Sequence, residues 1–211
     1  MLMACARVAG ALFGPRLRIV KYYFTVQPVT PPPEDRWRRT GSFALSWVDA
    51  GSPLLAEAER PADVIRSRFA QGARCLAAAN DSGLAGFLWY VPGPYLEDEV
   101  RARFLPAPAG QSAWDFDVMV LPQYRMGRLF SYLWAAAGAE LAAAGIRHTI
   151  SRISAFNAAS LASHRRLGAT IVGSAVFVCI GRVQFMASTL APRWNVSWRD
   201  DQRPTVVIAA A

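Results

Sequence analysis

Two arginines flank a glycine in the segment Gln123-Tyr124-Arg125-Met126-Gly127-Arg128, which follows an apolar run ended by Pro122 and precedes an alanine-rich stretch. The run 116–121 reads as a strand, and residues 129–144 read as a helix closed by Gly145. A helix start presents amides with no intrahelical acceptor, together with the positive end of the helix dipole, so it attracts anions. With Arg125 and Arg128 beside it, the chemistry on offer is phosphate binding. The other reading of these arginines is ordinary solvated charge. Asp115 and Asp117 stand two apart on the strand and so share a face. Such carboxylates can take a proton from a bound group, or they can be strand-end acids bonded to arginines and backbone amides.

Elements on both sides must position these groups. Residues 148–155 read as a second strand, and Asn157 opens a short helix that ends at Leu167-Gly168. The central unit is therefore strand, basic turn, helix, strand, helix.

The segment Val120-Leu121-Pro122-Gln123-Tyr124-Arg125-Met126-Gly127-Arg128-Leu129-Phe130, followed by Asn157-Ala-Ala-Ser160 and Leu167-Gly168-Ala169, resembles the GNAT superfamily of N-acetyltransferases. The resemblance covers the central and C-terminal core. In the N-terminal third it rests on the order of elements alone. It implies an α/β (α+β) fold with a mixed, centrally splayed β-sheet flanked by helices. It further implies that backbone amides of the turn hold the pyrophosphate of acetyl-CoA and that the Asn157 helix lies along the pantetheine arm. Met119, Val120, Arg125, Met126, Gly127, Arg128, Leu129, Phe130, Asn157 and Ser160 then become the cofactor-binding set, with an amide near Met119 or Val120 polarising the thioester carbonyl.

Two departures stand out. The family turn is commonly Arg-x-x-Gly-x-Gly/Ala, and starting it at Arg125 puts Arg128 and Phe130 where small residues belong. The family also commonly places a tyrosine seven residues beyond the asparagine to protonate the departing thiolate, and here that position is His164. An imidazole titrates near neutrality and can supply the same proton; a helix histidine packed on its neighbours or facing solvent is the alternative. An amine acceptor must lose a proton before it attacks, and Asp115 or Asp117, directly or through a water, is the candidate base. The cysteines lie outside these motifs, so direct transfer is expected and not a covalent acyl-enzyme.

Composition narrows the field. The chain has 211 residues, 53% of them hydrophobic and 18% charged, which describes a globular domain with a sizeable core. Its apolar runs fall short of the roughly 18 residues of a membrane span. Residues 1–13 are apolar but short and interrupted by Arg7, and the basic residues Arg16, Arg18 and Lys21 follow them, which is the wrong polarity for a signal peptide. A cytoplasmic location is expected, with this arm packed on the domain or in weak contact with a membrane surface. The formal net charge of +8 suits an anionic partner, whether a CoA thioester, an acyl carrier protein, a lipid surface or nucleic acid. No nucleic-acid motif accompanies it, and Arg36, Arg38 and Arg39 read as a solvated face. Cys5, Cys75 and Cys179 are far apart and odd in number, and the histidines are His148 and His164 alone, so neither a disulfide framework nor a metal site is indicated.

Along the chain, residues 1–34 read as an N-terminal arm with a proline-rich spacer, 35–190 as the acyltransferase domain and 191–211 as a tail. Residues 42–48 read as a strand and 61–71 as a helix, and 74–79 with 84–91 read as a hairpin turned by Asn80-Asp81-Ser82-Gly83. The insert 92–112 suggests a loop with a helical turn or two between Tyr95 and Phe104. Residues 170–180 and 183–186 read as strands, and Trp194, Trp198 and 206–208 suit packing on the body or a homodimer contact. The functional expectation is an N-acetyltransferase that uses acetyl-CoA and an amine. A longer acyl-CoA or carrier-bound donor, or a non-catalytic binding domain, are the alternatives.

Overall fold

The computed structural model describes residues 17–30 and 41–210. The apolar arm 1–13, Cys5, the prolines Pro31, Pro32 and Pro33, and the cluster Arg36, Arg38 and Arg39 lie outside the described residues. In chain order the first elements are β1 (Leu17–Pro28), β2 (Ala44–Val48), α1 (Pro53–Ala56), α2 (Ala62–Ala70), β3 (Arg74–Asn80) and β4 (Gly83–Val91). Next come β5 (Tyr95–Leu96), β6 (Arg103–Ala107), β7 (Ser112–Val120), α3 (Leu129–Ala143), β8 (His148–Ser154) and α4 (Ala158–Arg166). Four strands complete the chain: β9 (Thr170–Ile180), β10 (Val183–Ser188), β11 (Trp194–Ser197) and β12 (Thr205–Ala209). The fold class is mixed α+β, as the family resemblance implied.

Two compact units divide these elements. The first takes residues up to 27, 95–107 and those from 150 onward. Its strands run in the order β11-β10-β9-β1-β8, and β12-β6-β5 form a small separate sheet. β1 falls inside the stretch read from sequence as arm and spacer. Its alternation explains it: Val20, Tyr22, Phe24 and Val26 turn into the core, while Leu17, Ile19, Lys21 and Tyr23 are more open. It pairs antiparallel with β9 over ten residue pairs, from Leu17 opposite Ile180 to Val26 opposite Thr170.

The insert and the tail also differ from their sequence reading. Tyr95 to Phe104 holds no helix; β5 and β6 are antiparallel strands, and β12 joins β6 in parallel, with Val206 opposite Phe104. Phe104, Val206 and Ile208 are all fully buried. Alternating burial on a strand supplied by the far end of the chain decides the conformation, and local punctuation cannot reveal it.

The second unit takes residues 28–94 and 108–149, with strand order β7-β4-β3-β2, every pairing antiparallel. The β3–β4 hairpin forms where it was expected. β7 approaches β4 so closely that a Cβ on Gly86 would lie 2.6 Å from the Met119 carbonyl oxygen, so this position requires glycine.

Candidate functional site

β7, the basic turn and α3 form one continuous segment of the second unit. After β7, a single turn of 3-10 helix spans Pro122–Tyr124, and α3 begins at Leu129. Inside the turn the amides of Tyr124, Arg125 and Gly127 already donate to Leu121, Pro122 and Tyr124 carbonyls, at 2.9, 3.3 and 3.1 Å. These amides of the turn are therefore engaged. The first intrahelical donor of α3 is Tyr132, to Arg128 at 3.0 Å, so the amides of residues 129–131 precede the helical ladder. Arg128 is the N-cap residue; its side chain makes no capping bond, and no acid occupies the first turn. The helix start thus keeps its positive character and carries the exposed Arg128 beside it.

Side chains stiffen this turn in place of the missing glycines. Arg125 Nε donates to the Val120 carbonyl at 3.0 Å, which ties the turn back to its own strand. Asn80 Nδ2 donates to Tyr124 Oη at 3.0 Å, and the Phe43 ring meets Tyr124 edge to face at 5.2 Å. Sequence reading placed Asn80 in the hairpin link and Phe43 in a strand and gave neither a contact with the basic turn, because that contact comes from the sheet and leaves no local signal. Met126 is fully exposed, Leu129 is buried, and Phe130 packs on Trp134 with ring centroids 6.4 Å apart.

The two acids of β7 occupy different settings. Asp115, opposite Tyr90, is buried. Trp89 faces Phe116 and Phe87 faces Met119, so Asp117 and Val118 together oppose Leu88 in a β-bulge. Asp117 takes φ of 46°, a left-handed conformation that a short polar side chain tolerates better than most. Its carboxylate receives both Nε and Nη2 of Arg60 at 2.8 Å and Nη1 of Arg68 at 2.6 Å. Arg68 is 6% exposed and stacks over Trp89 and Phe116. Burial alone would raise the Asp117 pKa, but the bonds from Arg60 and the charge of Arg68 outweigh it and hold the carboxyl below its ordinary range. Of the two sequence readings, this geometry matches an acid bonded to arginines. Held so, Asp117 is a poor base and a strong anchor for the bulge.

In the first unit, α4 carries the remaining candidates. Asn157 Oδ1 accepts from the Ser160 amide at 3.0 Å, so Asn157 caps the helix. His164, one helical turn beyond Ser160, is 4% exposed, and its Nδ1 lies 3.2 Å from Gln27 Oε1. Since a carbonyl oxygen only accepts, Nδ1 carries the proton. Burial lowers the His164 pKa to about 4, so the ring is neutral at physiological pH and has no surplus proton to give. The packed histidine is the reading this geometry favours. A pH dependence follows. The folded pKa lies below the unfolded value of about 6.5, so His164 costs no stability above that value and withdraws stability as pH falls toward the folded one. Between those limits the wild-type stability should fall by up to about 1.4 kcal/mol per pH unit from this group. Urea unfolding across that range should show a shallower slope for His164→Gln.

Three crystal structures share this fold. A GNAT-family protein from Novosphingobium aromaticivorans matches at a TM-score of 0.55 with 16% identity, over 79% of this chain and 68% of that one. The fold is GNAT-like. A Staphylococcus epidermidis protein of unknown function matches at a TM-score of 0.53 with 13% identity, over 85% of this chain and 66% of its own. A Drosophila protein matches at 0.52 with 17% identity, over 85% of this chain and 58% of its own. The GNAT-like chain thus spans less than two thirds of the length of the last two. No protein-family model and no curated protein matches the sequence. Among the described residues, no cluster of ligating side chains could hold a metal ion, and no helix is long and apolar enough to cross a membrane.

Proposed function

We propose that this chain is an N-acyltransferase that takes an acetyl group from acetyl-CoA and passes it to an amine by direct attack. The observation that carries the reading is the start of α3: uncapped, free of acids, flanked by Arg128 and set directly after a bulged strand in a GNAT-like fold. On this reading the amides at 129–131 and the Arg128 guanidinium take the pyrophosphate. The bulge in β7 breaks the ladder at Asp117 and Val118, and on this reading a backbone amide beside it polarises the thioester carbonyl. Asp117, through Arg60 and Arg68, holds that bulge in place. The amine nitrogen bonds to the carbonyl carbon, the carbon–sulfur bond breaks, and CoA leaves as a thiolate. A thiol pKa of about 8.5 makes that leaving group stable enough to depart without a dedicated acid. The proton lost by the amine passes to water.

Arg128 and Phe130, bulky where the family pattern is small, favour a second reading in which the donor is a longer acyl-CoA or an acyl carrier protein. Calorimetric titration separates them. Micromolar binding of acetyl-CoA supports the first reading, and binding of a long-chain acyl-CoA alone supports the second. In either case Arg128→Ala should weaken CoA binding about tenfold, the loss of one charge-assisted bond, with the melting temperature unchanged. Absence of binding to either ester and to an acyl carrier protein would end the acyltransferase proposal.

A further inference from the structure

The first unit's sheet is apolar on both faces, and only one face is core. On the inner side Tyr22, Phe177 and Met186 are buried. On the outer side the register sets Ile19, Val178, Phe185 and Val196 in one row across four strands. The adjacent row runs from Lys21 through Val176 and Ala187 to Trp194. Phe185 is 45% exposed and Trp194 is 76% exposed. An antiparallel sheet with one solvated face ordinarily alternates apolar with polar residues. A contiguous apolar face in place of that alternation marks a surface for a partner.

Charge indicates which partner. Besides Lys21 within the face, Arg182 stands at the β9–β10 turn and Arg193 next to Trp194, both exposed. No acid occupies these rows among the described residues. The nearest acids in the chain, Asp200 and Asp201, already face Arg101, Arg203 and Arg199 at 3.2, 3.4 and 3.8 Å. A second copy docked by twofold symmetry would present the same basic residues to the interface. We infer that this face binds an anionic phospholipid surface. Phe185 and Val196 enter the acyl boundary, Trp194 lies at the headgroup level, and Lys21, Arg182 and Arg193 meet lipid phosphates. This inference is independent of the acyltransferase reading.

Cosedimentation of the full chain with vesicles tests it, using pure phosphatidylcholine and a phosphatidylcholine–phosphatidylglycerol mixture. Binding is expected to the mixture only, weakening with added salt. The double variant Phe185→Ser/Trp194→Ser should lose binding, and Arg182→Glu/Arg193→Glu should weaken it by at least about tenfold. All four side chains are exposed, so thermal melting should be unaltered in both variants. Failure to bind the anionic vesicles would overturn the inference, as would binding indifferent to lipid charge or binding that survives the Phe185/Trp194 change. A solution dimer that Phe185→Ser dissociates, without vesicle binding, would reassign the face to a second copy and overturn it equally.

Discussion

Asp117→Ala is expected to destabilise the protein by about 3–5 kcal/mol, the usual consequence of removing one partner from a buried ion pair. The carboxylate is shared by two guanidiniums, one of which, Arg68, is buried against Trp89 and Phe116. Its loss would also free the bulge, because alanine has no side-chain bond with which to hold a left-handed φ. Asp117→Asn keeps the shape and tolerates that φ but carries no charge, so its melting temperature should fall between those of the wild type and the alanine variant. The pH dependence has a definite sign. The folded pKa of Asp117 is depressed, so its stabilisation is fully present above the unfolded value of about 3.9 and disappears as pH falls through the lower folded value. The gap between wild type and Asp117→Asn should therefore be wide at neutral pH and close in acid. If Asp117→Asn abolished turnover while leaving the neutral-pH melting curve unchanged, the residue would be a base and the anchoring role would be lost.

Arg152→Ala should have a comparable effect in the first unit. Arg152 on β8 bonds Glu97 Oε1 at 2.7 Å, approaches Glu99 at 3.6 Å and covers the Tyr22 ring at 4.6 Å. The Glu97 side chain is 1% exposed. The buried Tyr22 hydroxyl donates to Glu99, and Arg18 donates to the Glu99 carbonyl at 2.5 Å. The cluster fastens the segment after β5 to β1 and β8. Truncating Arg152 leaves Glu97 buried without its cation, at a cost of about 3–5 kcal/mol. Exchanging both partners for apolar residues, as in Glu97→Leu/Arg152→Met, should cost far less than either single change, because neither charge is then left buried. Denaturant unfolding of the two single variants and the double variant measures the coupling directly. Additive losses would show that the pair is not the clamp described here.

Local pattern in the sequence was enough to place most elements. Alternation and the Asn80-Asp81-Ser82-Gly83 link marked the β3–β4 hairpin, alanine-rich helix formers marked α3, and Asn157 marked the start of α4. The basic helix start after β7 was equally legible, since Arg125, Gly127 and Arg128 are neighbours in the chain. Each of these features is closed by hydrogen bonds or periodicity within a few residues. The features that went unread depend on partners distant in sequence. β6 is a strand because β12 pairs with it, and β1 is one because β9 does. The state of Asp117 was decided by Arg60 and Arg68, 57 and 49 residues away. His164 was neutralised by burial against Gln27, 137 residues away. Residue type and spacing thus determined where basic side chains meet a helix start and which groups were able to titrate. Burial and charge pairing, which exist only once distant segments meet, decided which of those groups still hold or accept a proton at neutral pH.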